Sequence, residues 1–333
     1  MNFALNPVLG REIKERFRSR RAPVFVTLWV VGVGLIGYLV YLIAQLTARD
    51  AFGLGQGVAG GYMGRFIFEG MLLLLMTAVV MIVPGLTALS IVGERERQTF
   101  HLLQVTQLSP LQIVLGKLWS SMSYFLLLLV SVAPVAALPL LFGGVRIGDV
   151  LVGLAMLLLT AIMLGSIGIW GSSRARSSRG AVANAYMWSF ILAFITFAAM
   201  GAELLFINDG EPFPQRGREV VSVLPNPYVG MVSAVVAPLG SDGLQGTPFD
   251  VVEILLLERQ GFDNFGFGMG GLGFPAQGEA DADRALPLRR PPVWVFTVGI
   301  YVLITLLSLR GAARRVRAPA TRIRTLRRRD GGS

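Results

Sequence analysis

The residues able to do chemistry are few, and their spacing excludes more than it permits. Cysteine is absent, which removes disulfides, thiolate catalysis and iron–sulfur clusters. His101 is the one histidine, which argues against a His-based metal site or a Ser–His relay. A phosphate-binding loop needs G-x-x-x-x-G-K-[ST], because its glycines let backbone N–H groups surround the phosphates while the Lys reaches the terminal ones. Gly116-Lys117 is the only Gly-Lys pair, but Leu118 follows it and Leu111 stands where the first Gly belongs. No nucleotide site of that kind is present.

What remains are two small groups of charges. Glu94 and Glu96 alternate with Arg95 and Arg97, a pattern of mutual compensation at a helix start rather than of catalytic carboxylates with raised pKa values. Glu69 and Glu203 fall inside apolar runs, where an acid is expensive and is a functional candidate by default. Arg65 precedes Glu69 by four residues, the spacing of an ion pair on one helix face. Both acids lie within about one turn of the end of their run. They are therefore read as interfacial anchors ahead of ion-coupling groups.

The elements that carry these residues are membrane helices. Of the 333 residues 53% are hydrophobic and 15% charged, against about a quarter charged in a soluble domain. The mean hydropathy is +0.63. A helix needs about 20 mostly apolar residues to cross the hydrocarbon core. Six blocks qualify: 23–46, 66–92, 118–142, 150–171, 181–207 and 292–309. Each satisfies its own backbone in lipid as a helix, which a lone strand could not do. Pro84 and Pro134 interrupt the second and third blocks and are candidate gating kinks.

Charge sets the expected orientation. Residues 1–22, 93–117, 172–180 and 310–333 hold 21 of the 30 basic residues. By the positive-inside rule both termini are cytoplasmic, with 208–291 outside. The expected class is thus an all-α integral membrane protein of six transmembrane helices. Residues 1–22 read as an amphipathic elbow helix, with Leu5, Leu9, Ile13 and Phe17 on one face and Pro23 bending into the first span. In 208–291, the apolar part around Pro225, Pro227 and Gly230 dips into the bilayer or lies on it, while the glycine-rich 261–278 has too much backbone freedom to fold alone. The tail 310–333 carries nine arginines and suits anionic lipid or plain topology signalling; its membrane setting argues against nucleic acid.

One segment is specific in sequence. Between the second and third spans, Glu94 opens a helix expected to place Phe100 and Leu103 on one face, and Ser109-Pro110 caps and starts the helix that becomes span three. A short amphipathic helix held at the membrane's inner face suits docking of a soluble partner.

This segment resembles the coupling loop of ABC-2 type transporter permeases, which reads roughly E-R-E-x-G-T-L-E-x-L-L-x-T-P-L-S-P-x-x-I-x-x-G-K. The chain matches at Glu94, Arg95, Glu96, Thr99, Leu103, Thr106, Leu108, Ser109, Pro110, Ile113, Gly116 and Lys117. Among its departures are Gln98 for Gly, Phe100-His101 for Leu-Glu, and Gln107 for Pro. The opening Asn6-Pro7-Val8-Leu9 and the later Leu224-Pro225-Asn226-Pro227-Tyr228 also look like such permeases.

The resemblance implies a transport subunit of the cell (inner) membrane without its own enzyme activity or cofactor. ATP and Mg would bind a separate ABC ATP-binding subunit. That partner would dock on Glu94, Arg95, Glu96, Arg97, Thr99, Phe100 and Leu103, and a second permease subunit would complete the pathway for export. Two other classes stay in view. An ion-coupled carrier needs charges near the midplane, which the positions of Glu69 and Glu203 fit poorly. A non-transporting anchor would use 208–291 to hold a partner.

Overall fold

A computed structural model describes residues 21–52, 56–98, 109–199, 202, 222, 224–236 and 293–316. Among them the secondary structure is helical, without strands. Six helices are long and apolar enough to cross a membrane, one for each block read from the sequence. The elbow segment, Thr99 to Leu108, Glu203, most of 208–291 and the tail beyond Val316 lie outside the described residues.

The first span is α1 (Arg21–Phe52), with Pro23 in its first turn, where a missing N–H leaves no bond unmade. The second is α2 (Gln56–Ala88), continued after a turn by the short α3 (Val92–Glu96). The third is α4 (Pro110–Ala136), extended by α5 (Leu138–Phe142). The fourth is α6 (Ile147–Arg174). The fifth is α7 (Ser178–Phe190), which widens into a π turn at Ile191–Ile195. A ten-residue helix, α8 (Pro227–Val236), precedes the sixth span, α9 (Val293–Val316).

Helices α2 and α6 form the middle of the bundle. The core side of α2 repeats Met71, Leu72, Leu75, Met76, Val79, Val80 and Val83, all buried, at the spacing that keeps one broad helical face inward. Helix α6 packs along it and adds Leu157, Ala161 and Leu164 to the same buried core. Around this pair, α1 packs on α2 and α4, α9 on α6 and α4, and α7 on α6 and α2. Lipid tails are as apolar as leucine, so close packing rather than water exclusion holds such helices together. Small residues permit that approach. A Cβ on Gly168 of α6 would stand 2.0 Å from the Thr87 hydroxyl oxygen of α2.

At the opposite end from the α3 connection, the chain turns through Gly143 and Gly144, whose φ values of 84° and 77° suit glycine. A Cβ on Gly64 would lie 2.0 Å from the Gly143 carbonyl oxygen. Arg65 and Glu69 sit next to this contact. Their expected pair forms, with Nε 2.7 Å from Oε1, but the side chains are only 8% and 1% exposed. The pair is packed inside the bundle, because α2 is its central helix rather than a peripheral one.

The two prolines lie near helix ends. Pro84 is buried one turn before α2 stops, and Thr87 Oγ1 returns hydrogen bonds to the Val83 and Pro84 carbonyls there. Pro134 is exposed on the last turn of α4, just before the break that separates α5.

Candidate docking connection

The connection after α2 is built from backbone groups that the helix leaves open. Helix α2 ends at Ala88, and the turn that follows leaves the first N–H groups of α3 without helical acceptors. Ser172, at the far end of α6 and fully buried, fills that gap: its Oγ accepts from the N–H of Ile91 and of Val92, each at 3.0 Å. A side chain from the fourth span thus caps the helix that carries Glu94.

Glu94 itself is gripped by the third span. Lys117 Nζ lies 2.5 Å from Glu94 Oε1, and the lysine is buried although it is charged. A cation held in a helix-packed site is tolerable only when paired, which makes this contact a fixed point. Glu96 reaches in another direction. It accepts from the Ser178 N–H at 2.7 Å and from the Ser178 hydroxyl, so it caps the first turn of α7. These hydrogen bonds hold its carboxyl below the usual carboxylate range, the hydroxyl contributing most and the N–H next. The two acids therefore engage groups beyond their own four-residue run, 23 and 82 positions along the chain.

Helix α3 is shorter than the sequence suggested. Its acid does fall in the first turn, but the helix closes at Arg97, and Gln98 takes φ 59°. Left-handed backbone at that position ends the helix before Phe100. An unbroken helix from Glu94 through Leu103 is corrected accordingly. Thr99, Phe100 and Leu103 lie outside the described residues, while Glu94 and Arg95 are half-buried and Arg97 is exposed.

The other side of the connection forms as its sequence dictates. Ser109 Oγ accepts from the Gln112 N–H at 3.3 Å, and Gln112 Oε1 accepts from the Ser109 N–H at 2.8 Å. With Pro110 in the first position, this is a complete reciprocal cap. Helix α4 accordingly begins eight residues before the apolar block and delivers Ile113, Val114 and Lys117 to the bundle.

Residues 52–232 match the family described as ABC-2 family transporter protein. That is more than half of the chain. It belongs to the ABC-2 transporter family, as a permease of an ABC-type transporter. No curated protein matches it individually.

The matched segment of the permease runs from the end of α1 into α8, so it contains the whole connection. Within the family's loop pattern, the departure Gln98 for Gly now has a physical meaning: the position is left-handed, the conformation that glycine adopts without steric cost. Ser172 and Ser178 escaped the sequence reading. Their signal was the pair of Ser-Ser steps, 172–173 and 177–178, flanking the short arginine-containing turn between the fourth and fifth spans. The described residues hold no group of three or more His, Asp or Glu side chains suited to a metal ion.

Proposed function

We propose that this permease forms, with a second permease subunit, the pathway of an ATP-driven exporter in the cell membrane. In this reading the termini and the 93–117 connection are cytoplasmic, and a separate ABC subunit binding ATP and Mg docks there. The observation that carries the reading is the bracing of the connection: Lys117 of α4, Ser172 of α6 and Ser178 of α7 all hold the five-residue helix α3 or its end. A force applied to this point is delivered to three spans at once. Closure of the partner's ATP sites would thereby rock the helices between two packed arrangements.

The roles within the connection divide by direction. Glu94 and Glu96 hold it to the permease, Arg95 and Arg97 flank the docking face, and Phe100 and Leu103 supply its apolar anchors, with Thr99 between. Burying two such anchors suits a small central contact, in which each truncation costs about 2 kcal/mol or more. The ion-coupled alternative lacks support from Glu69, which is committed to Arg65.

The test is purification of the tagged permease from its native membrane in mild detergent. The wild-type protein should bring an ATP-hydrolysing subunit with it. Phe100→Ala combined with Leu103→Ala should leave the amount and thermal stability of the permease unchanged but remove the partner. Full retention of ATPase activity in the double variant would overturn the docking assignment.

A further inference from the structure

The segment Leu224-Pro225-Asn226-Pro227-Tyr228 plays no part in docking, yet its asparagine is fully buried and fully engaged. Asn226 Oδ1 accepts from the N–H groups of Tyr228 at 2.8 Å and Val229 at 3.2 Å, capping α8. Its Nδ2 donates to the Ala193 carbonyl at 3.2 Å and to Thr196 Oγ1 at 2.7 Å. An amide has two donor hydrogens and two acceptor positions, and here all four are used. The orientation of the amide is fixed by this network, because the reverse would set donors against donors.

The two donor contacts fall on the irregular part of the fifth span. Ala193 lies within the π turn and Thr196 directly follows it. Thr196 in turn donates to the Leu192 carbonyl at 2.8 Å, so the hydrogen-bond chain runs from α8 back into the wide turn. The next residue continues the link. The Tyr228 ring centroid is 6.4 Å from that of Phe197, and its hydroxyl is 3.1 Å from Thr77 Oγ1 on α2.

A π turn holds one residue more than the α-helical turn it replaces and is frequent at functional sites. Relaxing it to α-helix would rotate everything beyond it by one residue, about 100°. Such an element has two discrete arrangements rather than a continuum, which is what a close-packed bundle is able to switch between. In the present arrangement, extra donors for the π turn come from outside the helix, from Asn226.

We propose that Asn226 is a positioning residue of the transport cycle, holding the fifth span in its π register and fastening the part beyond it to α8. The two then move together when the pathway changes state. This rests on the reading of the chain as an ATP-driven permease.

The absence of cysteine allows paired spin labels. One pair, Ala198→Cys with Val302→Cys, reports on the fifth span beyond the π turn; a second, Met187→Cys with Val302→Cys, reports on the part before it. All three sites are exposed. The protein is the permease–ATPase complex in lipid nanodiscs. Asn226→Ser preserves a side-chain cap for α8 but is too short to reach Ala193 or Thr196. Without nucleotide, it should move the 198–302 distance by about 3 Å or more while leaving 187–302 in place. Thr196→Val, which leaves the α8 cap untouched, should shift 198–302 the same way and serves if Asn226→Ser does not fold. A folded Asn226→Ser or Thr196→Val protein with the wild-type 198–302 distribution would overturn the latch. Wild-type distances that ignore ATP would instead overturn its link to the transport cycle, with the nucleotide-free comparison still deciding the latch.

Discussion

Lys117 reaches back to Glu94, placing its ammonium 2.5 Å from the carboxylate and joining the first turns of α4 to the end of the second span. The lysine is 3% exposed and the glutamate side chain 24%. In the proposed cycle, this contact would carry a displacement of α3 to the third span.

Removing it should therefore uncouple rather than unfold. A hydrogen bond to a charged group contributes about 1.5–3 kcal/mol. Lys117→Met is expected to cost a stability within that range and to leave partner binding intact, while ATP hydrolysis no longer drives transport. Parallel assays of thermal unfolding, pull-down and hydrolysis in vesicles check this. Coupled transport at the wild-type rate would show that the ion pair transmits nothing.

Gln98 offers a test with the opposite sign. A non-glycine residue in left-handed backbone carries a steric cost of about 1–2 kcal/mol, partly offset by the entropy that glycine loses on folding. Gln98→Gly should raise the melting temperature slightly, and Gln98→Val should lower it. A Gly variant less stable than the Val variant would contradict the left-handed assignment.

Breaking the Arg65–Glu69 pair on one side should be severe. A buried ion that loses its partner costs about 3–5 kcal/mol, whereas replacing both partners with apolar residues is often neutral. Glu69→Leu alone is expected to reduce the amount of folded protein sharply. Arg65→Met added to it should recover most of the loss, as measured by thermal unfolding in detergent. Recovery is the informative result, since it shows that the cost of Glu69→Leu comes from leaving Arg65 buried without its carboxylate.

Orientation is tested with single cysteines. Ser177→Cys, between the fourth and fifth spans, should react with an impermeant thiol reagent only when the cytoplasmic face is opened. Ser222→Cys should react from outside in intact cells. The reverse pattern would place the docking connection on the wrong side for an ATPase.

The sequence alone determined the six spans and the Ser109 cap. Hydropathy over twenty residues is a local sum, and lipid leaves a lone apolar segment no option but a helix. The cap needed only Ser109, Pro110 and Gln112, three neighbours in the chain. What the sequence did not determine was which polar groups meet. Ser172 caps a helix that starts 80 residues earlier, Glu96 caps one that starts 82 residues later, and Asn226 grips a turn some 30 residues behind it. None of these partners is adjacent in sequence, and each becomes a neighbour only when α2, α6, α7 and α8 pack. The spacing of Arg65 and Glu69 announced their pair, but only the packing of α2 decided that it would be buried. Local composition chose the helices, but in a medium where an unsatisfied polar group is costly, only the packed bundle decided where each polar side chain would find its partner.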